Sequence, residues 1–334
     1  MNQATLFDLC EDVPDQITDR TFDKVIKRGF PFYELNIEQK MLEFELLRQF
    51  PSHQLLEGSS IKQVMHGLNL AWSYFPHSWA VPVKNMKTPM DIWRDPALLR
   101  LAIKKRLKRG GFAALLPDGS MTDSQIRKAL RSYSGVQAVS NFRPTAAACL
   151  YRKFVQNGVV WDMSCGFGGR LLGALSSQTV KKYIGTDPGK QTYKGLQEIA
   201  KDFAYIGMDI ELNKVGSEHF IPSEPVDFCF TSPPYFDTEQ YSTDEAQSFL
   251  QYKSNREWNE QFLRKTIKNC KAALKPNKVM AINIADVKSH KTLEVDTVRI
   301  AKEEGFTHID TYQLQLSHIS KGGFKSEPVF IFQK

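Results

Sequence analysis

Two periodicities divide the chain. From Glu34 to Phe50, apolar residues at 35, 37, 41, 42, 44, 46 and 47 follow the helical repeat, and Pro51 ends the run. Residues 52–98 are rich in aromatics (Trp72, Tyr74, Phe75, Trp79, Trp93) and broken by prolines, a composition that predicts core packing. Helices are expected over 96–108 and 122–133, while the polar stretch 1–20 is expected to be loose. From Pro144 onward helical and alternating segments take turns: helix 144–156, strand 158–163, helix 169–177, strand 182–187, helix 190–204, strand 210–216, strand 226–231, helix 256–274, strand 278–285 and helix 292–304. Strands near 307–317 and 327–333 close the chain, and the short link Lys321-Gly322-Gly323 predicts that they pair as an antiparallel hairpin. Strands alternating with helices imply a mostly parallel, doubly wound α/β sheet. The expected division is a mainly helical N-terminal domain over 1–135 and an α/β domain over 136–334.

Two strand ends carry the chemistry. Val226, Phe228 and Phe230 alternate as in a buried strand, which must stop at Ser232-Pro233-Pro234-Tyr235 because two prolines lack N–H donors and have nearly fixed φ. A hydroxyl, a rigid carbonyl and an aromatic ring then sit together where open α/β sheets place their ligands. That set suits a planar base with an exocyclic amino group: Ser232 and the Pro233 carbonyl accept its N–H bonds and Tyr235 covers its face. Upstream, the apolar strand from Val159 runs into Asp162-Met-Ser-Cys-Gly-Phe-Gly-Gly169 and then a helix. Glycines 166, 168 and 169 permit a tight turn and let a ligand approach the backbone. Asp187 ends the next strand, 21 residues beyond Gly166, a separation at which an acid can accept hydrogen bonds from both ribose hydroxyls of an adenosine-containing cofactor. Asp187-Pro188 also precedes a helix, so Asp187 can cap it as well. The turn lacks the Gly-x-x-x-x-Gly-Lys-Ser/Thr pattern of a phosphate-binding loop, and nothing nearby supplies hydride chemistry.

Composition narrows the setting. No apolar run among the 334 residues is long enough to span a membrane, and the N-terminus lacks the basic and apolar regions of a secretory signal. Five cysteines scattered without a Cys-x-x-Cys pair predict reduced thiols and a cytoplasmic setting, and with seven unclustered histidines they give no expected metal site. The net charge of +7 is unevenly spread: Lys104, Lys105, Arg106, Lys108, Arg109, Arg127 and Lys128 crowd into one segment. Beside a base-binding site such a run is expected to contact phosphates, and Arg109-Gly-Gly111 to end the helix close to a nucleic-acid strand.

Taken together, Phe142-Arg-Pro-Thr145, the Asp162–Gly169 turn, Asp187, Gly216-Ser-Glu218 and Thr231-Ser-Pro-Pro-Tyr235 resemble the S-adenosylmethionine-dependent amino-methyltransferases of DNA, which make N4-methylcytosine or N6-methyladenine. The resemblance covers residues 140 to 332. It implies a Rossmann-like methyltransferase fold, a mostly parallel seven-stranded sheet ending in an antiparallel hairpin. It also implies S-adenosylmethionine as cofactor, its methionine part held by Ser140, Asn141 and Phe142 and by Asp162, Ser164, Gly166, Phe167 and Gly168. Asp187 would take the ribose, and Ser217 or Glu218 the adenine edge. Ser232, Pro233, Pro234 and Tyr235 would form the catalytic loop, with Phe236 and the basic residues Lys104, Lys105, Lys108 and Arg109 on the DNA. The Ser form of the loop looks most like the cytosine-N4 branch, since adenine enzymes more often carry Asn or Asp there. The turn departs from the family's Asp-Pro-Phe-x-Gly-x-Gly at Met163 and Ser164. Cytosine-C5 chemistry would want a Pro-Cys nucleophile, and the chain contains none. With no large insertion between the two loops, target recognition is expected from the N-terminal domain or from Asp237–Asn255. RNA as the substrate, a larger transferred group, and a non-catalytic nucleic-acid-binding protein are the competing readings.

Overall fold

The computed structural model describes residues 13–84, 86–110, 115–133, 135–238, 247–318 and 322–334. The chain forms two units, Met1–Tyr33 with Pro76–Val139, and Glu34–Phe75 with Ser140–Lys334. The first is helical. Helices Asp15–Arg28, Pro89–Arg94, Pro96–Gly110 and Asp123–Arg131 gather around Phe22, Val25, Ile92, Leu99, Ile103, Ile126 and Leu130. The helix from Asp15 corrects the expectation of a loose start as far as the described residues go; residues 1–12 lie outside them. Its buried face, Thr18, Thr21, Phe22 and Val25, has helical spacing, but two threonines hide the stripe from a hydrophobicity reading.

The second unit is built on a nine-stranded sheet. In chain order its strands are β1 (Leu56–Glu57), β2 (Ser60–Ile61), β3 (Gly158–Asp162), β4 (Val180–Thr186), β5 (Asp209–Asn213), β6 (Val226–Thr231), β7 (Leu274–Asn283), β8 (Thr307–His318) and β9 (Phe324–Gln333). They lie in the order β1-β2-β8-β9-β7-β6-β3-β4-β5. Strands β5, β4, β3, β6 and β7 run parallel, and β9 pairs antiparallel with both β7 and β8. This is the expected Rossmann-like sheet with its closing hairpin, although Lys321 of the link lies outside the described residues. The short pair β1–β2, joined to the edge of β8, is an addition that two-residue strands do not announce in sequence.

The chain leaves β3 toward β4 and β5 on one side and returns to β6 on the other. The carboxyl ends of β3 and β6 therefore lie side by side at a topological switch point, where open α/β sheets bind ligands. Helix Ile37–Gln49 packs in this unit, with Phe44 stacked on Phe203 at 4.2 Å between ring centroids. The expected boundary at 135 thus differs from the observed division, in which residues 34–75 go with the sheet. The helix expected over 256–274 opens with a turn at Asn255–Glu257, widens into π geometry over Trp258–Leu263 and continues as Arg264–Ala273. No helix among the described residues is long and apolar enough to cross a membrane.

Candidate active site and cofactor pocket

The turn after β3 is shaped by glycines. Gly166 and Gly168 have φ of 55° and 72°, the left-handed region that side chains avoid. A Cβ on Gly168 would lie 2.5 Å from Ile199 Cδ1 and 3.1 Å from Phe75 Cε2, so Phe75 fills the space the glycine leaves. Trp72 and Phe75 both pack on Phe167, at 5.3 and 5.6 Å between ring centroids. Asn141 Nδ2 donates to the Phe167 carbonyl at 2.9 Å, and Phe142 meets Phe230 edge-on. Both support the turn from behind.

Asp162 is wholly buried and its carboxylate is already engaged. Oδ2 accepts from Arg170 Nε at 2.9 Å and from the Tyr183 hydroxyl at 2.6 Å, while Oδ1 accepts from the Ser164 N–H at 3.2 Å. Arg170 also donates to the Ser164 carbonyl. The carboxylate expected to contact the cofactor is thus engaged by Arg170, Tyr183 and the Ser164 N–H, an arrangement that holds the turn in shape.

Asp187 stands open to the pocket. One carboxylate oxygen accepts from the Gly166 N–H and the other from the Gly189 N–H, both at 2.9 Å. Each oxygen keeps a second lone-pair site, enough for a ribose diol. Burial pushes the carboxyl up to about 6, against the pull of these two donors.

A pocket of about 620 Å³, counting its open mouth, joins the predicted pieces. Ser164, Gly166 and Phe167 line it from the first turn, Asp187 from the second strand end, Ser217 and Glu218 from the turn after β5, and Ser232 and Pro234 from the loop after β6. Ser217 has its hydroxyl on Thr266 at 2.8 Å and its carbonyl on Asn269 at 3.0 Å, which leaves Glu218 as the better acceptor for an adenine edge. Glu218 is 6% exposed, Oε2 has no hydrogen-bond partner, and burial raises its pKa. An unpartnered buried carboxylate oxygen on a pocket wall is a polar group awaiting a ligand. These residues fit an adenosine-containing cofactor.

The loop after β6 is held by a residue that sequence reasoning missed. Asn283, at the end of β7, accepts at Oδ1 from Ser232 Oγ at 3.3 Å, and the Tyr235 hydroxyl lies at the same distance from that oxygen. Tyr235 also reaches Glu327 Oε2 at 3.1 Å. The only available signal was position, since β6 and β7 are parallel neighbours and their ends coincide. Pro233 is buried and Tyr235 half-buried. Phe236 corrects an expectation: at φ 54° its ring turns inward, 7% exposed, 6.3 Å from the Trp258 ring, so it packs in the core and offers no face to a base. Gln247 and Ser248, from the stretch expected to read the target, line the same pocket together with Phe262 of the π turn. Residues 239–246 of that stretch lie outside the described residues.

The basic segment lies on helices of the other unit. Lys105, Lys108 and Arg109 are exposed, and Lys105 lies 4.7 Å over the Tyr133 ring. Lys104 pairs with Asp15 at 2.8 Å. Arg127 donates to the carbonyls of Pro31 and Phe32, so part of the charge run serves the fold. Gly111 lies outside the described residues. Among the described residues no cluster of His, Cys, Asp or Glu could hold a metal ion.

Comparison with known proteins bears on the second loop directly. Residues 226–334 match the family model of DNA methylases. Over this segment the chain is similar to that family. The match spans β6, the Ser-Pro-Pro-Tyr loop, Asn283 and the closing hairpin, and it bears out the resemblance read from the sequence. It supports a methyltransferase that uses S-adenosylmethionine and acts on nucleic acid. Similar solved structures include TrmN from Thermus thermophilus, 15% identical over 64% of this chain and 66% of that one, TM-score 0.41. The N-methyltransferase NodS from Bradyrhizobium japonicum WM9 in complex with S-adenosyl-L-homocysteine is 13% identical over 57% of this chain and 85% of its own, TM-score 0.41. An rRNA methylase from Streptococcus thermophilus is 16% identical over 59% and 99%, TM-score 0.39. At these values none of them says what this chain binds. A comparison with curated proteins gives no match.

Proposed function

We propose that this methyltransferase moves a methyl group from S-adenosylmethionine to the exocyclic amino group of a base in DNA, with cytosine N4 the favoured target. The observation that carries the reading is the shared pocket, in which Gly166 and Asp187 face the same space as Ser232 and Pro234. When bound, the cofactor supplies an electrophilic methyl group. Asp187 would accept from the ribose hydroxyls and Glu218 would meet the adenine edge. The target base must leave the duplex to reach the loop, at a cost of a few kcal/mol in lost stacking. Tyr235, its hydroxyl tethered to Asn283 and Glu327, has a fixed ring to offset part of that cost.

An amino nitrogen on a base is a weak nucleophile because its lone pair is delocalised into the ring. Ser232 Oγ and the Pro233 carbonyl, accepting its two N–H bonds, would favour the pyramidal and more nucleophilic form. This is positioning and electrostatic stabilisation, with no covalent intermediate on the protein. Serine at position 232 supports cytosine over adenine. The helical unit, with Lys105, Lys108 and Arg109 exposed, is proposed to carry phosphate contact and target recognition.

Labelled methyl transfer to duplex DNA, single-stranded DNA and total RNA tests the reading. Label in DNA supports it. Label in RNA alone would move the substrate to RNA, and no label in any of the three would leave a non-catalytic binding protein.

A further inference from the structure

Asn283 is 2% exposed at the carboxyl end of β7, beside the strand end that carries Ser232. Its carboxamide has donors on nitrogen and acceptors on oxygen, and the two ends are not interchangeable here. Nδ2 donates to the Pro328 carbonyl at 3.0 Å. A carbonyl oxygen has no proton to give, so turning the amide over would set oxygen against oxygen in a buried place. The amide therefore has one orientation, with Oδ1 toward Ser232 Oγ and the Tyr235 hydroxyl at 3.3 Å each. Tyr235 has a single proton, and Glu327 Oε2 at 3.1 Å is the nearer acceptor for it. Oδ1 is left to receive the Ser232 proton.

A serine hydroxyl normally rotates to donate or to accept as its partner requires. Here its only proton is turned toward Asn283, so the Ser232 oxygen meets the pocket with lone pairs alone. An exocyclic amino group donates to such an oxygen; an exocyclic oxo group, itself only an acceptor, is repelled. We infer that Asn283 locks Ser232 as an acceptor and thereby makes the site select bases with an amino group over those with an oxo group at the same ring position. Cytosine is favoured over uracil and thymine, and adenine over hypoxanthine and guanine, by the same device. Asn283 is a positioning residue: it acts on the base through Ser232. The inference rests on the reading that Ser232 holds the target base. A site built around a specific hydrogen bond rejects the analogue that cannot make it much more strongly than a merely snug pocket does.

The test uses the full chain with S-adenosylhomocysteine present and duplex oligonucleotides carrying the mapped target position as the amino base or as its oxo counterpart. The ratio of the two affinities is measured for the wild type, Asn283→Leu, Asn283→Asp and Ser232→Ala, with cofactor affinity measured alongside. Asn283→Leu keeps the volume and removes both polar ends. It is expected to bind cofactor as the wild type does and to lower the amino-over-oxo ratio by about tenfold or more, chiefly by gaining affinity for the oxo form, as expected for one hydrogen-bond polarity released. Asn283→Asp keeps an acceptor oxygen for the Ser232 proton whether or not its carboxyl is ionised, so its ratio should stay close to that of the wild type. Loss of a merely structural residue would weaken both affinities together and leave the ratio alone. An unchanged ratio in folded Asn283→Leu, with the ratio abolished in Ser232→Ala, would overturn the inference and keep the base-site reading. A ratio kept in Ser232→Ala would overturn both. Should Asn283→Leu fail to fold, a ratio lost in folded Asn283→Asp, which keeps the acceptor, overturns the inference, and a ratio kept there supports it.

Discussion

Arg170 and Asp162 face each other inside the protein, Nε to Oδ2 at 2.9 Å, with 4% and 0% of their side chains exposed. The pair sits at the foot of the glycine turn after β3, and Arg170 also donates to the Ser164 carbonyl within it. Removing one partner of a buried ion pair leaves an uncompensated charge, which typically costs about 3–5 kcal/mol. Arg170→Met is therefore expected to lower unfolding free energy by roughly that amount, as read from denaturant midpoints. A midpoint equal to the wild type's would mean the pair does not hold the turn.

The proposed ribose contact at Asp187 predicts that cofactor binding depends on pH. Its carboxyl is pushed up to about 6 by burial, and ribose hydroxyls hydrogen-bond best to the ionised form. Cofactor affinity should accordingly fall as pH drops below about 6, approaching tenfold per pH unit well below that value. Asp187→Asn should bind about 1–3 kcal/mol more weakly at neutral pH and lose this pH dependence. Titration calorimetry from about pH 5 to about pH 8 reads both. The stability effect has the opposite sense. Because the folded protein holds this proton more tightly than the unfolded chain, the group favours folding below its ordinary value of 3.8 and that contribution is lost as pH rises through about 6.

Gly168→Ala tests the close packing behind the turn. The substitution forces a side chain into φ 72° and puts Cβ 2.5 Å from Ile199 Cδ1. A loss of about 1–3 kcal/mol in stability is expected, with weaker cofactor binding, since the backbone must shift to relieve both. Thermal unfolding and calorimetry on one preparation check the pair of effects.

What was legible in the sequence followed from strong, local patterns. The apolar strands β3, β4 and β6 are bounded by glycine or proline, and the two ligand loops sit at their ends, so both the sheet and the pocket could be placed. Less was legible where tertiary contacts override composition. The helix Asp15–Arg28 buries threonines, which read as polar. Phe236 follows the tyrosine of the loop and reads as a stacking residue, yet a positive φ turns it into the core against Trp258. Asp162 reads as a ligand because it opens the glycine turn, and only the fold shows Arg170 and Tyr183 on its carboxylate. Asn283 lies 51 residues from Ser232 and is brought to it solely by the pairing of β6 with β7.

The exposed cations of helix Pro96–Gly110 make a separate prediction. Replacing Lys105, Lys108 and Arg109 by Gln should weaken DNA binding and flatten its dependence on salt by about one phosphate equivalent for each cation that pairs with the backbone. Lys104→Gln should matter less, because that side chain is partnered by Asp15. An unchanged slope in the triple variant would mark the segment as a solvated helix face.

Methylating DNA with the purified protein, digesting it to nucleosides and identifying the product by mass tests the central claim most directly. The expected product is N4-methylcytosine, formed at a rate that Ser232→Ala cuts by roughly one to two orders of magnitude while cofactor affinity stays unchanged. N6-methyladenine would keep the amino-group chemistry and change the base, whereas 5-methylcytosine would contradict the account.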